Sequence, residues 1–105
     1  MTSAASGSGR PGTLADEIAS AVLAHPSVVR LAGGAGGPST HLPGRRVAGV
    51  RADGPGIEVA VVLRLDGPLP GLGAELRERV RRVAGNVPVD IEITDVIPTQ
   101  GAKEE

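Results

Sequence analysis

A two-layer α+β sandwich, with two helices on one face of a small mixed sheet in the order α-β-β-β-α-β, is the fold this sequence predicts. Three observations predict it. Residues 57–65, IEVAVVLRL, alternate with the period of a strand. Leu72, Leu76, Val80 and Val83 fall on one helical stripe. Residues 88–96 alternate again, so that 57–96 reads as a β-α-β unit whose connection permits a right-handed parallel crossover.

The composition bounds what such a fold can contain. The chain has 105 residues, 40% of them hydrophobic, with no Phe, Tyr, Trp or Cys. Its core must therefore be built from Val, Leu, Ile and Ala, without the large single burial an aromatic ring provides. Neither a disulfide nor a metal is at hand to reinforce so small a core, and self-association is the reinforcement that remains, so a homo-oligomer is expected. A formal net charge of -1 argues against a globally basic nucleic-acid binder. No apolar run is long enough to span a bilayer and MTSAASGSGRPG lacks the apolar segment of a signal peptide, so a cytoplasmic location without direct membrane insertion is expected.

Along the chain, residues 1–12 are too rich in Ser, Gly and Ala to offset their ordering entropy and read as a disordered tail. Residues 13–97 read as one domain, and 98–105 as a second tail. Thr13 and Asp16 have the form of a capping box, and Leu14, Ile18, Ala21 and Val22 then recur at helical spacing, which predicts a first helix over about 14–25. Pro26 ends it. Ser27–Leu31 is short and β-branched, a first strand, and AGGAGGPST opens a long loop that reaches about Arg45. Val47–Val50 reads as a second strand, followed by a turn at Asp53–Gly56. In the strand 57–65, Ile57, Val59, Val61, Leu63 and Leu65 form the core face, while Glu58, Ala60, Val62 and Arg64 form a mixed outer face. After the Pro-Gly hinge at 66–71, a helix is predicted over 71–84, with Glu75–Arg79 and Glu78–Arg82 pairs at i,i+4 on its solvated side and Gly85 as its C-terminal cap. The last strand sets Val89, Ile91 and Ile93 against Asp90, Glu92 and Thr94.

No motif here carries chemistry. Gly33, Gly34, Gly36 and Gly37 do not match a phosphate-binding fingerprint and read as a flexible loop. Ser39, His41 and Asp53 could be drawn as a nucleophile, base and acid, but nearness in sequence says little about such sets. His25 and His41 lack a spacing that zinc sites favour, and His25 reads as a helix C-terminal residue, favourable there when protonated. No catalytic, cofactor-binding or metal residue is predicted, and the protein is expected not to be an enzyme. The candidate partner surface is the outer face of the long strand, Val62 and Arg64, with Arg77, Arg79 and Arg82 on the second helix.

The segments LADEIASAVLAHPSVVRLAGG and RRVAGVRADGPGIEVAVVLRLDGPLPGLGAELRERVRRVAGNVPVDIEITDV resemble the alkaline-shock protein family of bacterial envelope stress response proteins. The matching pieces are Val28–Gly34, Gly49–Val50, Ile57–Leu65, the hinge Gly67–Pro70, the Arg/Glu helix Glu75–Val83 and Val89–Val96. The resemblance implies a cytoplasmic, non-enzymatic protein that gathers at the inner face of the membrane through a protein partner, such as a small membrane-anchored protein, and supports envelope homeostasis. A rival reading is a small RNA-binding α+β module using Arg45, Arg46 and the helix arginines, although aromatic stacking residues are wholly absent.

Overall fold

The computed structural model describes residues 11–65 and 68–98, with side chains from residue 14 onward. The elements are α1 (Pro11–Leu23), β1 (Val28–Leu31), β2 (Ser39–Leu42), β3 (Arg45–Ala48), β4 (Val50–Arg51), β5 (Ile57–Leu65), α2 (Leu69–Ala84) and β6 (Val89–Pro98). The α+β class and the two helices beside a mixed sheet are as the sequence predicts, but the strand count is higher. Helix α1 begins at Pro11, a residue suited to the first turn because its missing N–H would have no helical partner there. Thr13 therefore lies inside the helix rather than capping it, and residues 11 and 12 do not belong to a tail. Pro98 closes β6, while the predicted tails at 1–10 and 99–105 and the hinge residues 66–67 lie outside the described residues.

Strand β5 is the axis of the sheet. Strand β6 runs parallel to it along its whole length, from Ile57↔Val89 to Leu65↔Pro98. Its other edge is shared end to end by two short antiparallel strands, β4 beside Val59 and Glu58, and β1 beside Leu63, Val62 and Val61. The core face packs against both helices: Val59, Val61 and Leu63 join Ile18 and Val22 of α1 and Leu72, Leu76 and Val80 of α2 in one cluster. Every member is aliphatic, and each fully buried Val, Leu or Ile contributes roughly 1.5–3 kcal/mol relative to exposure. Gly85, at φ 92, ends α2 by donating its N–H to the Arg81 carbonyl at 2.8 Å, the cap the sequence predicts.

Part of the predicted long loop is a second sheet. Strands β2 and β3 form an antiparallel hairpin, Ser39↔Ala48 to Leu42↔Arg45, turning at Pro43 and at Gly44 with φ 80. Thr40 ties this hairpin to the main sheet: its buried Oγ1 donates to the Val50 carbonyl at 2.8 Å and accepts the Ala52 N–H at 3.0 Å. The predicted strand 47–50 is accordingly split at Gly49, whose φ of 91 lets the chain pass from β3 into β4. There the backbone crosses very close to Gly33. A Cβ on Gly33 would lie 2.3 Å from the Gly49 nitrogen, and one on Gly49 would lie 2.7 Å from the Leu31 Cβ, so both positions exclude any side chain. Gly33 is thus a packing glycine, not merely part of a flexible loop.

The parallel pair contains one irregularity. Val61 faces Ile93 but Val62 faces Asp95, so Thr94 is an extra residue in β6. The bulge keeps Asp95 in line with Val62 on the outer face and sets Val96 in line with Leu63 on the core face. Thr94 Oγ1 donates to the Val61 carbonyl at 3.2 Å at the point where the ladder slips.

Two substitutions test this architecture. Val80, with no exposed surface, lies on the core stripe of α2, and Val80→Asp buries an unpaired carboxylate at a cost of several kcal/mol, about the whole stability of a domain this size. Circular dichroism is expected to show loss of cooperative unfolding, and an unchanged thermal midpoint would refute the helix face. Thr40→Val preserves shape but strands the Ala52 N–H and the Val50 carbonyl, with an expected loss of about 1–3 kcal/mol in urea unfolding. A loss below about 0.5 kcal/mol would show that Thr40 does not tie hairpin to sheet.

Candidate functional site

The face of the sheet turned away from the helices can be built row by row from the strand registers. Arg51, Glu58 and Asp90 form the first row, Gly49, Ala60 and Glu92 the second, and Arg30, Val62 and Asp95 the third. Basic residues therefore stand on the β1/β4 flank and a column of carboxylates stands on β6. Within the first row, Arg51 and Glu58 approach to 3.7 Å. At the centre, Ala60 and Val62 are 1% and 2% exposed, although strand alternation places them on the outer face. The segment 32–38 explains the first, since Ala32 donates its N–H to the Ala60 carbonyl at 2.7 Å and begins a loop that rises beside Ala60. Val62 has Arg30 and Asp95, two long or charged side chains, on either side of it in register.

Two concavities lie on this face. The larger, about 620 Å³, is walled by Ser39 and His41 of the hairpin, Arg51, the turn Asp53–Gly56, Ile57 and Glu58, and Pro88, Val89 and Asp90 at the start of β6. The smaller, about 340 Å³, lies between the 32–38 loop, Ala60, Glu92 and Thr94. The floor of the larger one is fixed by the Ile57 N–H bond to the Pro88 carbonyl at 2.9 Å, with Gly56 pressed so close that a Cβ would meet that same oxygen at 2.9 Å.

Ser39, His41 and Asp53 are therefore brought to one cleft, which sequence reasoning had no means of deciding. Among the described residues no hydrogen bond joins them, and no group of three His, Asp or Glu side chains is placed to hold a metal ion. The other histidine has a structural task. His25 is 6% exposed; its Nδ1 accepts the Ser27 N–H at 3.0 Å, which leaves the proton on Nε2, and Nε2 donates to Glu75 Oε1 at 2.6 Å. The ring thus joins the end of α1 to α2, just past the helix C-terminus where the sequence reading places it.

The predicted surface residues separate into different roles. Val62 is buried and offers no open surface. Arg64 is exposed but donates to the Pro26 carbonyl at 2.8 Å. Arg79 is half-buried and donates to the Ala21 carbonyl at 3.3 Å, joining α2 to α1. Glu75 is engaged by His25 rather than by Arg79, and among the described residues neither i,i+4 ion pair on α2 is formed. Arg77 is half-exposed and Arg82 exposed. Arg45 is drawn into a two-pronged pair with Asp16 of α1, at 2.8 and 3.3 Å. The bond from Arg45 holds the Asp16 carboxyl below its ordinary range, so the pair supports the fold above about pH 4 and loses that contribution as pH falls through the lower folded value. Both side chains are about half exposed, which keeps the contribution small.

Sequence reasoning missed β6 as a long unpaired edge. Nine of its ten residues pair with β5 on one side, and among the described residues no strand pairs with the other. The opposite edge is blunted, because Thr40 occupies the outward groups of β4, and β1 has four residues and an irregularity between Val28 and Arg30. Leu65 and Ile97, at the far end of β5 and β6, remain 47% and 39% exposed. No helix among the described residues is long and apolar enough to cross a membrane. Comparison of the chain with protein-family models, with curated proteins and with solved structures finds no match.

The division of the arginines is measurable. Arg82→Ala is expected to leave thermal stability within about 0.5 kcal/mol, whereas Arg79→Ala removes an interhelical bond and is expected to cost about 0.5–1.5 kcal/mol. Equal midpoints for both variants would mean that the Arg79 bond contributes nothing to helix packing.

Proposed function

We propose that this chain is a non-enzymatic interaction module that accepts a strand of another protein along β6, in the setting that the alkaline-shock resemblance implies: envelope homeostasis, at the inner face of a bacterial membrane reached through a protein partner. The observation that carries the reading is the unpaired edge of β6, since an added strand gains main-chain hydrogen bonds along it while alternate side chains select the sequence. Edges this long are normally blunted. Here β6 carries a bulge at Thr94 and three carboxylates yet keeps a ten-residue edge, whereas the opposite edge is divided between two short strands.

The side chains of β6 define the partner. On the open face Asp90, Glu92 and Asp95 lie along the edge, so an incoming strand with Lys or Arg at alternate positions is matched, and opposite charges directly across a ladder add a few tenths to about 1 kcal/mol each. Pairing with β6 of a second copy would set carboxylates against carboxylates. The homo-oligomer expected from composition would therefore have to use a different surface, and the partner on β6 is a foreign, basic strand. Leu65 and Ile97 extend the contact with apolar area at the end of the edge. Against the RNA alternative, Arg45, Arg64 and Arg79 are tied to other parts of the fold, and the open face carries a carboxylate column where phosphates would have to approach.

The charge-reversed pair Glu92→Arg/Asp95→Arg is the test, because both residues are exposed and their replacement leaves the core intact. Wild-type protein expressed in bacterial cells is expected to distribute partly to the envelope fraction, and the variant to be released from it with an unchanged thermal midpoint. Identical fractionation of the two would overturn the docking edge, and no envelope association of the wild type would remove the envelope setting.

A further inference from the structure

We infer that the larger concavity, at the head of β6, is a preformed binding site for an organic cation, an alkylammonium or alkylguanidinium group on a short apolar stem. At about 620 Å³ it falls within the range of small-ligand pockets, and it combines an apolar floor with a few polar groups on its walls, as such pockets do. Ile57, Val89, Pro55 and Pro88 supply the apolar surface. Three walls of different origin supply the polar groups: His41 and Ser39 from the hairpin, Asp53 from the turn, and the Arg51, Glu58 and Asp90 row from the sheet.

The sign of the ligand follows from how these groups are already paired. Arg51 lies 3.7 Å from Glu58, so the one guanidinium in the cleft is largely answered by one carboxylate. Asp53 and Asp90 have no ion-pair partner among the described residues, which leaves the cleft with an excess of negative charge. Among the described residues no three acidic or histidine side chains gather as a metal site would need, which favours a larger, dispersed cation. A cation with several N–H donors spread over an organic frame satisfies both conditions, as the planar fork of a guanidinium does. The cleft is also rigid where it matters: the Ile57 to Pro88 bond and the Gly56 approach fix its floor, so little ordering remains to be done on binding.

The cation can be a free amine or the basic side chain of a strand docked on β6, whose first residues wall the cleft. The second source rests on the proposed docking edge; the first does not. The experiment is a titration of the full chain, followed by amide chemical shifts, with agmatine, with butanol as the uncharged control, and with an Arg-containing strand peptide. Agmatine is expected to move the amides of Gly54, Gly56, Val89 and Asp90 saturably, and butanol not to. Asp53→Asn/Asp90→Asn is expected to weaken agmatine by about tenfold or more with no change in thermal midpoint, while Glu92→Arg/Asp95→Arg leaves agmatine binding in place even if it abolishes docking. Tighter binding of the peptide than of agmatine assigns the site to a partner's side chain; equal or weaker peptide binding assigns it to a free amine. Absence of saturable agmatine shifts at these amides, or shifts that the Asp53/Asp90 variant leaves unaltered, would overturn the inference.

Discussion

The burial of β5 on both of its faces is the constraint on which the rest of this structure depends. A one-sided strand would alternate buried and exposed residues, yet the run from Val59 to Leu63 is buried without a break. A strand in that position needs a partner on each edge and a layer on each face, and the chain supplies all four from different places. Strand β6 takes one edge, β4 and β1 divide the other, the helices cover one face, and the glycine-rich 32–38 loop approaches Ala60 on the other. Small side chains make this possible. Ala60 leaves room for the loop, and Gly33 and Gly49 allow two backbones to cross where even a methyl group would collide.

Because the core lacks rings, close approach substitutes for bulk, and close approach creates polar atoms that need partners. Three side chains meet that need. Thr40 takes both a carbonyl and an N–H at the hairpin junction, His25 accepts from Ser27 and donates to Glu75 between the helices, and Thr94 bonds the Val61 carbonyl beside the bulge. Among the described residues no buried side-chain nitrogen or oxygen is left unpartnered. These bonds contribute less by their own strength than by the desolvation cost that would follow from losing one partner.

What could be read from the sequence was whatever depends on periodicity. Strand β5, helix α2, its Gly85 cap and the first half of β6 all carry an unbroken period, and each forms where that period runs. The hairpin at 39–48 was hidden because its turn, Pro43-Gly44, sits within a stretch whose glycines and prolines read as uninterrupted loop. The bulge at Thr94 could have been suspected from Asp95 falling on the apolar phase of β6. The roles of Arg79, Arg64 and His25 were not legible at all, since their partners lie 58, 38 and 50 residues away and only the folded chain brings them together. The same holds for the cleft, whose walls come from the hairpin, a turn, β5 and the start of β6.

The unequal treatment of the two sheet edges sets a stoichiometry. A sheet with two long open edges can add chains on both sides and polymerise, whereas this one has an extended acceptor on one side and, on the other, a threonine-capped β4 and a four-residue β1. Under the docking proposed for β6, each copy therefore offers one long acceptor edge, and a strand laid on its sheet has one side to choose.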